Sequence, residues 1–596
     1  MARQPAVQGR NPWFLWFVLA VASVAGSLVA LALVTLAAIS EGEAAVQAPA
    51  TLVPGGTPLP EVRSGLTYSG LLPEAATGLG LLPVAAGKNA DIEFSPGGDG
   101  AIAISYFVPV VALGTGIDAL TSRQLSDLMT GKVSDWKDVG GLPGRVRPVA
   151  ASPGDLKVYA NWIVAPSGDS SLAPTRVEGY EALRAEMTFD SGIIAIIPIA
   201  ELRPNMVAVA IDGVDIARGL RESSEWVLAE RIAVTGVSNR GKDQVEALKA
   251  NIAAPLPAIT RVVATGDVLQ SRCTLTRIEA TGDWAAALRG PVAEYLAAAD
   301  LALSSLDGSI QDIGEPHGCI QTTNLTSPPE VIEALTLAGI DAMTVATNHA
   351  FDCGDAGCGS EALLQSISRL NAVGIKTVGG GKNLEEALAP AIFEVNGVRF
   401  GVLGFDDIAA EDLEATETEP GTAPLDDSYE NERADLPQEP AFYKPASLLG
   451  VTRLQERVRA LKQQVDVVIV QIQSGTEDTH TPSPRSIKAL RAAAEAGAGL
   501  VVGNQAHWVQ AVEMRGESFL AYALGNFVFD QTHTPEHTHG YLLEATFHGK
   551  RLATVRMVPY QIEQKYRPVF VQGATRTKII GDVLEASLEL PEGNEH

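Results

Sequence analysis

From about residue 257 onward, short apolar runs alternate with amphipathic stretches. Arg261-Val-Val-Ala-Thr, Asp300-Leu-Ala-Leu, Asp341-Ala-Met-Thr-Val, Ile375-Lys-Thr-Val, Val465-Asp-Val-Val-Ile-Val-Gln-Ile-Gln and Leu500-Val-Val-Gly read as buried strands. Helices are predicted between them. One spans 284–299, interrupted at Gly290-Pro291, and one spans 328–337, opened by two prolines and closed by Gly339. Others cover 360–373, 446–463 and 486–496. Residues 391–404 form a hairpin with Asn396-Gly397 at its turn, and 509–560 is rich in strands. Residues 410–440 hold many acids and prolines without periodicity, so a surface loop is expected. The alternation signals an α/β fold, and no internal repeat is visible.

The first 256 residues are patterned differently. Trp13 to Ile39 is almost wholly apolar and long enough to span a bilayer. Arg3 and Arg10 precede it, while Glu41 and Glu43 follow. The expectation is an uncleaved single-pass anchor over 12–39, with the N-terminus cytoplasmic and the bulk of the chain outside, and a cleaved signal peptide is the alternative. Residues 41–65 are rich in Ala, Pro and Gly and read as a linker. In 66–256, Ala101 to Leu113 is strand-like, and Thr121 or Ser122 can cap a helix buried through Leu125, Leu128 and Met129. Gly131 would end that helix. The expected organisation is 1–40 anchor, 41–65 linker, 66–256 first domain, 257–565 second domain and 566–596 tail.

Composition adds two constraints. A net charge of −27 over 596 residues argues against nucleic acid as a partner. The four cysteines, in an exported chain, suggest two disulfides. Of three possible pairings, Cys353–Cys358 and Cys273–Cys319 are favoured.

The candidate chemistry sits at strand ends. Asp267, Asp307, Asn348-His349, Gln473 with Glu477, and Gln505 with His507 all follow apolar runs. Ligands of α/β sheets bind beyond the carboxyl ends of strands. Carboxylates, imidazole and amides converging there would suit a divalent metal, which could activate water. Either such a centre or a ligand-binding cleft without catalysis fits this pattern. His533, His537 and His539 form a second cluster that could bind metal or lie in an exposed loop.

Two resemblances follow. Leu120 to Gly141, with Gln124-Leu125, Gly131-Lys132, Asp135-Trp136 and Gly140-Gly141, resembles the phosphate-type periplasmic substrate-binding proteins, as does Asp190 to Pro198. That implies a two-lobed α/β domain able to hold phosphate or another anion, with Ser152-Pro-Gly-Asp where the anion loop would lie. A degenerate spacer or docking platform is the alternative. Residues 259–560 resemble the capsule-synthesis CapA family, which is linked to poly-γ-glutamate synthesis. The motifs are Gly266-Asp267, Ser305-Leu306-Asp307, Pro328-Pro329-Glu330, Asn348-His349-Ala350 with Asp352 and Gly354, and Gly525-Asn-Phe-Val-Phe-Asp530. Two motifs depart from the family. Gln473-Ser-Gly-Thr-Glu477 replaces His-Trp-Gly-x-Glu, and Gly503-Asn-Gln-Ala-His507 replaces Gly-His-His-Pro-His.

The CapA resemblance implies a calcineurin-like metallophosphatase sandwich and a divalent ion (Mn, Mg, Fe or Zn). It implies metal ligands among Asp267, Asp307, Asn348, Gln473, Gln505 and His507, catalytic groups His349, Asp352 and Glu477, and Asn526 in the cleft. Implied partners are a surface polymer or its precursor and membrane synthase subunits, for a role in capsule, poly-γ-glutamate or exopolysaccharide synthesis or attachment. The alternative is a binding protein or pseudo-enzyme scaffold.

Overall fold

The computed structural model describes residues 59–592, apart from 71, 86–87, 98–99, 165–173, 218–227, 255–257, 321, 410 and 427–449. The expected anchor over 12–39 lies outside the described residues. Among those residues, no helix is long and apolar enough to cross a membrane. Arg63–His596 forms one compact unit built from two lobes.

The first lobe is built on a nine-stranded sheet. Its longest strand, Ile102–Ala112, pairs antiparallel with Ile193–Pro198 and Ala229–Gly236. The helix Ser122–Met129 starts at a capping box, in which Thr121 accepts from the Gln124 amide and Gln124 reaches back to Thr121. Its apolar stripe buries Leu125, Leu128 and Met129, as the sequence predicts.

The second lobe stacks two sheets. Across one run the strands Lys376–Val378, Ala342–Thr344, Leu301–Leu306, Ile259–Val268, His539–His548, Arg551–Glu563 and Arg567–Phe570, with Asn526–Val528 also beside Ile259–Val268. Across the other run Ala391–Val395, Val398–Asp406, Val467–Gln473, Leu500–Asn504, Ser518–Ala521 and Val512–Arg515. Strand alternation divides the apolar residues into layers. Val262, Ala264, Leu301 and Leu303 face Val402, Ile469 and Val502 between the sheets. Val263, Ala302 and Met343 face outward onto helices through Leu275, Leu296, Leu335 and Leu370. Leu403, Val468, Val470 and Val501 meet Leu454, Val458, Ile487 and Leu490 on the other side. The order is helix, sheet, sheet, helix, so both sheets are covered and their strand ends meet at one edge.

Both expected disulfides form, Cys273–Cys319 and Cys353–Cys358. Three expectations change. The helix predicted over 446–463 is Thr452–Lys462, with 446–449 outside the described residues. The acidic segment is not all loop: Gly421–Thr422 pairs antiparallel with Gly380–Gly381. The expected tail is structured, because Arg567–Phe570 adds a strand and the helix Gly573–Leu588 buries Ile579, Ile580 and Val583 in the core between the sheets. That helix and the Arg551–Glu563 strand also carry the first lobe. Thr554 Oγ1 donates to the Met206 carbonyl at 2.7 Å and accepts from the Ala208 amide at 3.0 Å. Arg576 pairs with Asp118 at 3.0 Å.

A buried charge cluster lies on the strands that join the lobes. Glu544 pairs with Arg261 and, at 2.8 Å, with Arg556, and it accepts from the Tyr295 hydroxyl. Burial would raise the Glu544 pKa, but Arg556 and Arg261 outweigh it and hold it down to about 2. A depressed carboxylate contributes stability that is present above its ordinary 4.5 and lost as pH falls toward 2. Glu544→Gln should therefore lower the thermal midpoint at neutral pH, by an amount corresponding to about 3–5 kcal/mol, because two buried guanidinium groups lose their counter-charge. Circular dichroism of both proteins should show the difference narrowing from pH 4.5 to about 2.

Candidate functional site

The Ile259–Val268 and Leu301–Leu306 strands run parallel, and the Asp307 amide donates to the Val268 carbonyl at 3.0 Å. Asp267 and Asp307 thus stand at the ends of neighbouring strands, each 1% exposed. Close backbone approach fixes this corner: a Cβ on Gly266 would lie 1.7 Å from the Gly525 carbonyl oxygen, so only glycine fits. Asp267 Oδ2 accepts from the Gln505 backbone N–H at 3.2 Å, and Asp307 Oδ1 from the Thr347 hydroxyl at 2.8 Å. The other oxygens, Asp267 Oδ1 and Asp307 Oδ2, are buried without a hydrogen-bond partner, as is Asn504 Oδ1. Burial, and then the charge of Asp307, pushes the Asp267 carboxyl up to about 7. Three unpartnered acceptors, two of them carboxylate oxygens, match an oxygen-liganded cation.

Two histidines flank the carboxylates with different roles. His349 Nδ1 lies 2.7 Å from Asp352 Oδ2, which also accepts from the Leu325 amide at 2.5 Å. Burial disfavours the charged ring, but the Asp352 hydrogen bond and the charges of Asp307 and Asp352 outweigh it, so the pKa of His349 is raised. His507 Nδ1 lies 2.9 Å from Asn526 Oδ1. The Asn526 amide nitrogen is committed to Gln531 at 3.0 Å and to the His537 carbonyl at 3.2 Å. Its oxygen therefore faces His507, Nδ1 carries the proton, and Nε2 keeps the lone pair that a metal would take.

The structure gathers the expected site residues around this corner, and Gln473, Gln505, Glu477 and Asp352 take places other than those expected. Gln473 Nε2 donates to Gln505 Oε1 at 3.1 Å, and Gln505 Nε2 donates to Glu477 Oε1 at 3.1 Å. Gln473 Oε1 accepts from Ser305 at 3.4 Å. The two amides expected as ligands spend their oxygens on this chain, because an amide supplies donors and acceptors that pair with one another. Glu477 is exposed at the rim, and Asp352 positions His349. Half-buried Asn348 has its Oδ1 3.2 Å from the Thr347 hydroxyl, whose single proton goes to the nearer Asp307.

Sequence reasoning missed three residues. Asn504 is one; its place before Gln505 in a departed motif was the available signal. The others are Arg272 and Asp530, a buried pair at 2.6 Å, with the Cys273 amide also donating to Asp530 at 3.0 Å. Arg272 is close enough to oppose protonation of His349. Asp530 ends an intact motif, whereas a lone arginine after Asp267 carried no signal. Four of the eight described non-glycine residues with positive φ are here: Arg272 (49°), Asp478 (62°), Gln505 (93°) and His507 (58°).

In the first lobe, the loop where an anion was expected is filled from within. Asp155 Oδ2 accepts from the Ala151 and Ser152 amides, both at 3.0 Å, and Oδ1 accepts from Tyr180 at 2.8 Å. A carboxylate of the chain itself thus takes the backbone amides of this loop.

Residues 261–531 match the model of the family described as bacterial capsule synthesis protein PGA_cap, which is the resemblance its strand-end motifs carry. The capsule biosynthesis protein CapA of Bacillus anthracis is 26% identical over 241 residues, 40% of this chain and 52% of that protein. The chain spans about half the length of the curated relatives it matches. A phosphate ABC transporter substrate-binding protein from Clostridium perfringens covers 27% of this chain and 72% of its own, at 17% identity and TM-score 0.21. A 5'-nucleotidase from Candida albicans covers 55% and 58%, at 14% identity and TM-score 0.28.

Two buried carboxylates facing one another repel unless a cation lies between them. Adding Mn2+ at neutral pH should raise the thermal midpoint of the metal-free protein by roughly 2 °C or more. Asp307→Asn should raise the midpoint without metal and abolish the gain. The gain should shrink below pH 7, where Asp267 takes up a proton. Differential scanning fluorimetry reads all three.

Proposed function

We propose that the second lobe binds a divalent cation at Asp267 and Asp307 and that the chain acts in capsule or poly-γ-glutamate synthesis, release or attachment as a metal-assisted hydrolase or transferase. The observation that carries this reading is the pair of buried carboxylate oxygens, Asp267 Oδ1 and Asp307 Oδ2, that no protein group satisfies. The PGA_cap match supports the polymer role. Asn504 Oδ1, Asn348 Oδ1 and His507 Nε2 would complete the ligand set, and the donors suit Mn, Mg, Fe or Zn. The bound ion would polarise a phosphoryl or carbonyl oxygen.

The remaining steps belong to the chain. His349, whose pKa the Asp352 hydrogen bond and the Asp307 charge raise against burial, delivers a proton from Nε2 to the leaving group, the oxygen of a phosphoester or the nitrogen of a γ-glutamyl amide, while water or an acceptor hydroxyl adds to the phosphorus or carbonyl carbon. Asp352 keeps the ring in register. Arg272, held in its buried pair with Asp530, opposes protonation of His349 and so tempers its pKa. Glu477 shapes the rim, and the buried Gln473–Gln505 chain supports it from below. The first lobe, with its loop occupied by Asp155, serves as a docking platform for the polymer or for membrane synthase subunits. Residues 12–39 would hold the assembly at the outer face of the cell membrane.

A non-catalytic binding protein is favoured by one observation: the amides at 473 and 505 pair with each other where the family carries imidazoles. The test is turnover of phosphoester and polyglutamate substrates by the full chain with and without Mn2+. The catalytic reading expects metal-dependent turnover that falls about 100- to 10,000-fold in His349→Ala. Metal-dependent binding of polymer with no turnover, unchanged in His349→Ala, would establish the binding reading instead.

A further inference from the structure

We propose that Asp478, His533 and His537 form a second divalent-metal site, suited to zinc or a similar late transition ion, on the rim of the cleft. One oxygen and two nitrogens from these residues lie within 4.8 Å of one another. His537 Nε2 is 2.6 Å from Asp478 Oδ1, and the His533 and His537 rings approach to 3.8 Å between centroids. One carboxylate and two imidazoles match zinc, leaving further coordination to solvent or substrate. His537 is buried, while His533 and Asp478 are exposed, so one ligand is anchored and the other two give an ion access. His539 does not take part: it opens the His539–His548 strand, and its ring interacts with Glu536 and Lys578.

The surroundings allow the proton to move. Trp508 Nε1–H, which can only donate, lies 3.2 Å from Nδ1 and 3.4 Å from Nε2 of His537, with the two rings at 89°. Without metal, Nε2 carries the proton that faces Asp478 and Nδ1 accepts from the Thr534 hydroxyl at 2.9 Å. When an ion takes Nε2, the imidazole proton belongs on Nδ1, and the Thr534 hydroxyl turns to accept it. The ring changes tautomer and no net proton is lost from it.

This site borders the carboxylate pair without sharing a ligand with it. The Asp478 amide donates to the Ala506 carbonyl at 3.1 Å, and the His537 carbonyl accepts from Asn526. Ala506 and Asn526 are the neighbour and the partner of His507. An ion here would cross-link the 477–481 turn to the 531–538 turn and hold His507 in place. The proposal stands independently of metal binding at Asp267 and Asp307.

The test is calorimetric titration of the metal-stripped full chain with Zn2+, using Co2+ absorption to report coordination. His533→Ala and Asp478→Asn alter exposed side chains and should fold. Each should remove one equivalent of Zn2+ or weaken it by at least about 100-fold, since even outer-shell changes cost about 10- to 100-fold. Asp307→Asn should leave this equivalent intact. The proposal is overturned if the wild type binds no Zn2+, or if neither His533→Ala nor Asp478→Asn changes the stoichiometry and affinity.

Discussion

Two carboxylates in a dry corner organise this molecule. Asp267 and Asp307 are each 1% exposed at the ends of adjacent parallel strands, with one oxygen apiece left unpaired. Like charges so placed cannot both ionise without compensation. The nearby groups answer that charge: the Gln505 amide and the Thr347 hydroxyl each bond one oxygen, and His349 is drawn toward its protonated form. The arrangement remains short of donors, and that deficit distinguishes a site from a set of satisfied core polar groups.

The sandwich explains why these residues meet although they are spread over more than 250 positions of sequence. Each sheet is covered by helices on its outer face and by the other sheet on its inner face. The strands therefore carry mostly apolar side chains, apart from paired polar groups such as Glu544 with Arg261 and Arg556, and the groups of the candidate site stand where the strands stop. Gly266 and Gly525 let two of those ends approach closely enough to align Asp267 with Asn526. The last helix, Gly573–Leu588, closes the layer between the sheets, and its Arg576 reaches the first lobe. The candidate site and the inter-lobe contact are thus parts of one packing unit.

Much of this was legible because local chemistry dictated it. Apolar runs ending in Asp267, Asp307 and Asn348-His349 placed the cleft, the Thr121 cap placed a helix, and cysteine positions gave the disulfides. What escaped depended on partners distant in sequence. Gln473 and Gln505 read as ligands, but Gln473 donates to the Gln505 oxygen, Gln505 donates on to Glu477, and the Gln473 oxygen accepts from Ser305. His533, His537 and His539 read as one cluster because they are neighbours in sequence. The chain enters a strand at His539, and the place beside the other two falls to Asp478, about 60 residues earlier. The Arg272–Asp530 pair joins the two ends of the domain, and no local pattern marks it.

The left-handed backbone at Arg272, Asp478, Gln505 and His507 has a further consequence. A side chain in that conformation costs about 1 kcal/mol or more relative to glycine, which adopts it freely. Four such positions add up to a burden on folding comparable to a sizeable share of a domain's net stability. Glycine at any of them would ease the backbone while deleting a bond made by the side chain: Arg272 to Asp530, Asp478 to His537, Gln505 to Glu477 or His507 to Asn526. The backbone strain at this corner is thus tied to the same side chains that build the candidate site.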